Sequence, residues 1–430
     1  MMGIGTGIVD ILTLLITGIF LLVIVSYYVL LFVRVRKPDY HAAFKSVTII
    51  IPAHNEERYI AACIESVLAA RFKGKKQIIV VDDKSKDATA NIVRRFAKRG
   101  VTLQGVTLLR NKEHSGKSAS INAALRIAKG DIIAIVDADS TIERDALEEL
   151  AREVARKGCG GATGIMKVQN RSRFLNPWVH IELIYNSLLR SILSKVNANI
   201  VTPGPLSMYR ADALRQIGGF STKGFSEDMD VAVRLIRAGY TIGFCERAVA
   251  STNMPDTVKQ FFRQRTRMAR GLIFLLKRHM RINSTIIDLY TFPLFLFTYV
   301  QAVIMGTITI YKIASGYMIY FADKGVYMSW GVVKFFFEWL SIVGFAKWTF
   351  SVLSGAEALT ALSALGILST LLSYPLYLYA ILKYDKRFDL LHLIPFVFMF
   401  PFWLLIMGVY TLCVPEVFRS TQYNRWKKNE

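Results

Sequence analysis

The chain has 430 residues, of which 53% are hydrophobic, and its formal charge is +22 from 54 Lys and Arg against 32 Asp and Glu. A mean hydropathy of +0.35 excludes a purely soluble enzyme, and the apolar excess is concentrated at residues 8–33 and after residue 285, while 38–282 has ordinary soluble composition. A basic balance suits nucleic acid, anionic lipid or a phosphorylated substrate; with long apolar runs and no nucleic-acid-binding pattern, membrane surface and phosphate ligands come first, and no nucleic-acid partner is expected.

Residues 8–33 form one apolar run long enough to cross a bilayer, followed at once by Arg34, Arg36 and Lys37. The positive-inside tendency then places the N-terminus outside and the next domain in the cytoplasm. The run exceeds a signal-peptide core and no small-residue cleavage site follows it, so it is expected to stay as an anchor. Gly3, Gly5 and Gly7 resemble half a dinucleotide fingerprint, but they precede a membrane span instead of following a strand.

From Ser46 strand and helix alternate. Strands are predicted at Val47–Ile51 (stopping at Pro52), Gln77–Val81, Val106–Leu109 and Ile132–Val136, with helices at Glu57–Ala70, Lys86–Lys98 and Ser118–Ala128. This βαβ series implies a mostly parallel α/β sheet. Three strands end in polar or acidic clusters: HNEE at 54–57, DDKSKD at 82–87 and DADS at 137–140. In open α/β sheets ligands sit beyond the carboxyl ends of the strands, so these clusters describe one site. Asp137 and Asp139, one residue apart, suit a divalent cation such as Mg²⁺; the alternative is a turn, since Asp and Ser are turn formers. His114-Ser-Gly-Lys-Ser fails the P-loop pattern because Asn111 stands where a Gly is required; Lys117 either meets a phosphate or nucleobase or is a solvated helix start.

Asn176-Pro177 reads as a capped helix start. Trp178, Ile181, Ile184, Tyr185, Leu188, Leu189 and Ile192 then make one apolar stripe, while Glu182, Arg190 and Lys195 argue against a span. The stripe either lies on the membrane or packs on the sheet. TPGPLSMYR (202–210) makes a tight loop before a short strand. GFSEDMD (224–230) gathers Glu227, Asp228 and Asp230 before a helix at Val231–Ala238; these acids either charge its first turn or include a general base. Residues 256–281 form a basic amphipathic helix, with Gln260, Arg263, Gln264, Arg267 and Arg270 on one side and Phe261, Met268, Leu272 and Leu275 on another. Anionic lipid and a diphosphate both suit it.

After residue 285, spans are expected near 286–310, 326–346, 358–382 and 388–413, the second weakened by Lys334 and Glu338. Five spans in all return the tail RWKKNE to the cytoplasm but place Lys383, Lys386 and Arg387 outside; four remove that conflict and export the tail. Cys63, Cys159, Cys245 and Cys413 show no metal spacing and read as buried thiols in a reducing compartment.

PAHNE (52–56), DDKS (82–85), DAD (137–139), SED (226–228) and QRTRM (264–268) occur in that order ahead of C-terminal membrane spans. This pattern resembles the membrane-bound family-2 glycosyltransferases, relatives of cellulose and hyaluronan synthases. The resemblance covers residues 46–282 closely and the spans loosely. It implies a GT-A (Rossmann-like) cytoplasmic domain over 38–255, an anchor at 1–37, an interface helix at 256–284 and helical membrane segments at 285–430. It implies a nucleotide-sugar donor, Mg²⁺ or Mn²⁺, and inversion at the anomeric carbon. By motif, Asp82 and Asp83 should hold the nucleoside, with Glu56 and the backbone at Ala53 beside the base. Asp137 should lie by the ribose or donor sugar, and Asp139 should ligate the metal. Asp228, next to Glu227, should be the catalytic base, and Gln264, Arg265 and Arg267 should face the diphosphate. Met268 stands where the family has a Trp that stacks on the acceptor of polymer synthases, and the membrane part is short for a polymer channel. Both departures point to transfer of one hexose to a lipid-linked acceptor, and the chain's resemblance to archaeal membrane mannosyltransferases implies mannose from GDP-mannose. The alternatives are a processive polysaccharide synthase and, from another class, a transporter or receptor with a nucleotide-sensing domain. That last reading needs charges along the spans, and they are few.

Overall fold

The computed structural model describes residues 3–34, 39–40, 43–98, 105–173, 175–386 and 388–419. Arg36, Lys37, Arg387 and the tail 425–430, which entered the sidedness argument, lie outside the described residues.

Helix α1 (Gly3–Phe32) leads into an α/β unit. In chain order this holds β1 (Ser46–Ala53), α2 (Ile60–Ala69), β2 (Lys75–Asp82), α3 (Thr89–Lys98), β3 (Val106–Arg110), α4 (Lys117–Leu125), β4 (Ile132–Ile135) and β5 (Ser140–Ile142). There follow α5 (Ala146–Val154), β6 (Cys159–Val168), α6 (Asn176–Ser194), β7 (Ser207–Arg210), α7 (Ala211–Gln216), α8 (Glu227–Arg237) and β8 (Thr241–Thr252). All eight strands join one sheet in the order β3-β2-β1-β4-β7-β6-β8-β5. β3, β2, β1 and β4 run parallel, as the alternation of strands and helices implies. The second half is mixed: β7 is antiparallel to both β4 and β6, β6 and β8 are parallel, and β5 closes the edge antiparallel to β8.

The core follows from the two-residue period of the strands. Ile49, Ile51, Ile78, Val80 and Ile132 pack on one face against Ile64, Val67, Leu147 and Leu150. Ile50, Ile79, Val81, Ile133 and Ile135 pack on the other against Ile121, Leu214, Val231 and Leu235. Each fully buried Ile, Leu or Val contributes on the order of 1.5–3 kcal/mol. β1 continues through Pro52 to Ala53, which pairs with Asp82, so the acidic ends of β1, β2 and β4 are neighbours. The helix expected from Lys86 starts only at Thr89, whose N–H donates to Asp87 Oδ1. Conversely, α8 begins at Glu227 instead of Val231, which places Asp228 in its first turn.

Helix α6 corrects two expectations. Asn176 does not cap it; its Nδ2 donates to the Asn170 carbonyl at 3.0 Å. Nor does the helix choose between sheet and membrane surface, because Val179, His180, Glu182, Ile184, Leu188, Arg190 and Ile192 are all buried. It lies between β6 and β8 on one side and membrane-type helices on the other.

The helical region comprises α9 (Val258–His279), α10 (Phe292–Tyr317), α11 (Trp330–Leu340), α12 (Ile342–Leu353), α13 (Ala361–Tyr384), α14 (Leu390–Val397) and α15 (Met399–Leu412). Among the described residues, three stretches are long and apolar enough to cross a membrane: Val9–Phe32 within α1, Ile287–Ala322 around α10, and α13. The other two expected spans are broken, by 83° between α11 and α12 and by 62° between α14 and α15. At the first break the Ser341 hydroxyl accepts the Gly344 N–H and starts a new helix. At the second, Pro401 offers no N–H to the Val397 carbonyl.

Hydrogen bonds and ion pairs tie these helices to the α/β unit and to α9. Lys195 Nζ donates to the Leu30 and Leu31 carbonyls at the end of α1. Arg237 meets Asp288 before α10, and Lys383 at the end of α13 meets Glu246. The ends of α14–α15 are held likewise, Asp389 by Arg171 at 3.2 Å and Glu416 by Arg270 of α9 at 2.9 Å.

Candidate active site

A cavity of about 2060 Å³ opens at the ends of β1 and β4 and continues among α1, α10, α13 and α15. Glu56, Lys117, Asp137, Asp139, Glu227, Asp228, Gln264, Arg265, Arg267 and Met268 all line it, so the structure brings together residues from five separate stretches of chain. Ala53, Asp82 and Asp83 do not line it; all three are fully buried beneath it.

Protein groups already engage the two acids at the end of β2, although Asp82 Oδ2 has only its ion pair with Arg110. Asp83 accepts from the Ser115 and Gly116 N–H groups at 2.9 and 2.7 Å, from Asn111 Nδ2 at 2.7 Å, and meets His114 Nδ1 at 2.9 Å. Asp82 accepts from the Ser85 N–H and pairs with Arg110 at 2.9 Å. These acids shape the loop leading into α4 and thereby aim Lys117.

Lys117 Nζ lies 2.7 Å from Asp137 Oδ1 and 3.2 Å from Glu227 Oε1. Burial favours its neutral form, but the Asp137 and Glu227 charges outweigh burial and raise its pKa, so it stays a cation. Gly204 makes this approach possible, since a Cβ there would stand 2.3 Å from Lys117 Nζ and 2.4 Å from Asp137 Oδ2. Sequence reading saw only a tight loop at that position. The pKa of Asp137 is raised, by burial first, with Lys117 opposing.

Neighbouring acids on α8 are driven apart. Burial would raise Glu227, but Lys117, its own backbone and Arg267 hold it below the ordinary value. Burial and the Glu227 charge push Asp228 up to about 7, although the Met229 N–H donates to its Oδ1 at 2.9 Å. An acid that titrates near neutrality beside one that stays ionised is the usual mark of assigned acid–base roles. Asp139 accepts from the Ser140 hydroxyl at 3.1 Å and weakly from Thr252 at 3.4 Å, and its carbonyl accepts from Asn253. The backbone N–H of Glu56 donates to Thr89 Oγ1 at 2.8 Å, which fixes the turn after β1.

Helix α9 divides its polar residues. Gln260, Arg263, Gln264 and Arg267 reach the cavity. Arg265, expected to face a diphosphate, instead grips Glu182 of α6 through both oxygens at 2.7 and 2.5 Å, with Phe261 and Phe402 against its guanidinium. That fork is occupied, which leaves Arg267 and Arg263 for an anion. Met268, expected on the apolar side, is 52% exposed and lines the cavity. The pairing of Glu182 with Arg265 was missed; its one signal was a charge inside the apolar stripe of α6. All four cysteines are buried and free.

Residues 48–218 match the family Glycosyl transferase family 2. Among curated proteins, the chain is similar to Probable glycosyltransferase YdaM of Bacillus subtilis, 30% identical over 265 residues that cover 58% of this chain and 63% of that protein. It is similar to an N-acetylglucosaminyltransferase of Azorhizobium caulinodans, 27% identical over 67% of this chain and 77% of that one. Another, of Rhizobium leguminosarum, is 31% identical over 53% of this chain. The chain spans 63% and 55% of the length of the Bacillus and Rhizobium proteins. Among solved structures it resembles a mannosyltransferase from Pyrobaculum calidifontis in complex with GDP-Man and Mn²⁺, with a TM-score of 0.59 and 21% identity over 94% of this chain and 98% of that one. At that identity the likeness is one of fold, and it extends through the helical region.

Proposed function

We propose, from the match of residues 48–218 to the family Glycosyl transferase family 2, that this chain is a metal-dependent inverting glycosyltransferase moving one hexose from a nucleotide sugar to a lipid-linked acceptor. The observation that carries this reading is that Asp137, Asp139 and Asp228 share one cavity, and that this cavity runs on among the apolar helices. Residues 38–255 are then the catalytic domain, 1–37 its anchor, 256–284 the interface helix and 285–430 the membrane region with its basic tail.

The donor set at the end of β4 fits Mg²⁺ or Mn²⁺. Asp139, Asp137 and the Ser140 and Thr252 hydroxyls offer only oxygen, and hard cations take oxygen ligands. Asp139 would hold the ion, which when bound supplies positive charge to a leaving diphosphate. Asp228 takes the proton from the acceptor hydroxyl. That oxygen bonds to the anomeric carbon as the bond from this carbon to the diphosphate breaks on the opposite side, so configuration inverts in one displacement. Lys117 keeps Glu227 ionised and engaged, and so assigns the proton to Asp228. Gln264 and Arg267 orient the diphosphate from α9, Arg by its fork geometry. Glu56 borders the donor, while Asp82 and Asp83 act from beneath by holding the loop above it.

Mannose from GDP-mannose is the donor this reading prefers, in keeping with the ligand of the Pyrobaculum structure; the rhizobial relatives argue for N-acetylglucosamine. A panel of nucleotide sugars with Mg²⁺ or Mn²⁺, scored by hydrolysis and thermal stabilisation, decides between them. No response to any sugar nucleotide overturns the transferase reading. The competing processive synthase draws on the size of the cavity and on Trp339, Trp348 and Trp403 in its wall. Labelled product longer than one added sugar would establish it.

We place the enzyme in the plasma membrane with the catalytic domain cytoplasmic and three crossings: α1, α10 and α13. Asp288 before α10 and Lys383 after α13 both meet the α/β unit, so an even number of crossings separates them. α11 and α12, of 11 and 12 residues, are each too short for a bilayer core about 30 Å thick. α14–α15 leaves from Arg171 and returns to Arg270, and crosses nothing. This reading takes three crossings where five were expected, and it puts Lys383 and Lys386 on the catalytic side, where the charge rule wants them.

A further inference from the structure

Two buried arginines of the cavity wall differ in one respect. Arg265 has a carboxylate on its fork. Arg190, on α6, has none among the described residues, although it is only 5% exposed. Its Nη2 donates to the Gly164 carbonyl at 3.2 Å and to Ser187 Oγ at 2.8 Å, and its Nε has no partner. Both acceptors are neutral and the Phe244 ring lies 5.8 Å from the guanidinium carbon, so the charge has an aromatic face against it but no carboxylate among the described residues. Burial drives the guanidinium pKa down to about 10, against weaker support from Tyr384 and Asp228. Nearby in the chain, Asn199 is 1% exposed, lines the same cavity, and its Nδ2 is also unpartnered. Retaining a lone buried cation is costly, and an apolar side chain of similar volume would be more stable. A ligand that brings the missing anion removes that cost.

The surroundings select which anion. Ile24 and Tyr27 of α1, Leu189 and Leu193 of α6 and Leu294 of α10 line the same cavity and share one apolar cluster. The polar stations for a donor nucleotide, Asp139, Lys117 and Arg267, come from β4, α4 and α9 instead. A nucleoside has no match in the apolar limb, whereas a hydrocarbon chain does. We infer that Arg190 binds the phosphate of a long-chain lipid phosphate whose chain lies between α1, α6 and α10, and that this lipid is or carries the acceptor. The inference rests on the transferase reading for the word acceptor, but the binding site does not require turnover.

The test uses the full chain in detergent with farnesyl phosphate, farnesol, inorganic phosphate, and GDP with Mn²⁺ as separate probes. Affinity is followed by tryptophan fluorescence and by thermal shift. The wild type is expected to bind farnesyl phosphate at least tenfold more tightly than farnesol, and inorganic phosphate more weakly than either. In Arg190→Met the preference for the phosphate ester over the alcohol should collapse to within about twofold, with farnesol and GDP affinities held and the ligand-free melting temperature unchanged or raised. Arg190→Lys, which keeps the charge but not the fork, should retain part of the preference. Equal binding of farnesyl phosphate and farnesol by the wild type overturns the inference without recourse to any variant. So does a GDP affinity that falls in step with the lipid affinity, which assigns Arg190 to the donor, or inorganic phosphate that binds as tightly as the ester, which removes the chain. The donor panel tests the transferase reading separately, so either can fail alone.

Discussion

At the end of β2 stand Asp82 and Asp83, and at the end of β4, two strands along the sheet, stand Asp137 and Asp139. Both are acidic strand ends on the same edge. The first pair is enclosed by the protein's own donors: three backbone N–H groups, Asn111, His114 and Arg110. The second faces the cavity, and its strongest partner is a lysine shared with Glu227. What separates an enclosed acid from one that lines the cavity is therefore the path of the neighbouring loop. β2 feeds a loop whose backbone turns inward, whereas β4 feeds the open edge beside Gly204.

The sharpest way to break this comparison is to remove charge on the cavity side. Asp228→Asn should lower kcat by about 10³-fold with nucleotide affinity held, and Asp139→Ala should cost a similar factor that excess Mn²⁺ does not restore. Wild-type turnover in either variant would dissolve the assignment. The pH profile follows from the raised pKa of Asp228. A base must be ionised, so kcat/KM should rise with pH, tenfold per unit, and level off near 7. Because Asp228 is coupled to Glu227 and Lys117, the midpoint belongs to the group. Lys117→Met removes the cation that favours ionisation; the midpoint should move to higher pH and kcat should fall about 10²-fold. A midpoint moving down would exclude Lys117 from the cluster.

On the β2 side the same kind of change should read out as stability. Asp83→Asn loses two charge-assisted backbone bonds and the pairing with His114, and should lower unfolding free energy by roughly 2 kcal/mol in urea titrations. Its kcat should stay within about fivefold of wild type. If kcat instead falls as far as in Asp228→Asn with stability intact, Asp83 contacts the substrate and the two strand ends are alike after all.

Much of this division was legible in the residues. The strands Ile49–Ile51, Ile78–Val81 and Ile132–Val136 are continuous apolar runs that only a doubly covered sheet requires. Their acidic ends had to gather on one edge once the strands were parallel. β6 was not legible, because Gly160, Gly161 and Gly164 erase the alternation that marks a strand; a Cβ at Gly164 would stand 2.2 Å from the Ala248 carbonyl of β8. Nor could spacing distinguish Asp83 from Asp139, since the donors that enclose Asp83 lie about thirty residues on, in a loop whose path depends on β3 and α4. Arg265 illustrates the same limit. Its partner Glu182 lies 83 residues away in the chain, and only the fold decides which arginine of α9 is left for a ligand.

Met268 tests the comparison most gently, because it concerns the mouth of the cavity and neither acidic edge. The side chain is half exposed on α9, one residue from Arg267, and has no aromatic face with which to stack on a sugar. If single transfer followed from its absence alone, Met268→Trp would lengthen the product. The helices argue otherwise: with α11–α12 and α14–α15 broken, the stretches long and apolar enough to cross a membrane line a cavity with one apolar limb. Met268→Trp should therefore change the rate by no more than about threefold and leave one added sugar on the acceptor. A ladder of longer products from this variant would show that the aromatic platform, and not the architecture of the membrane helices, limits the enzyme to one transfer.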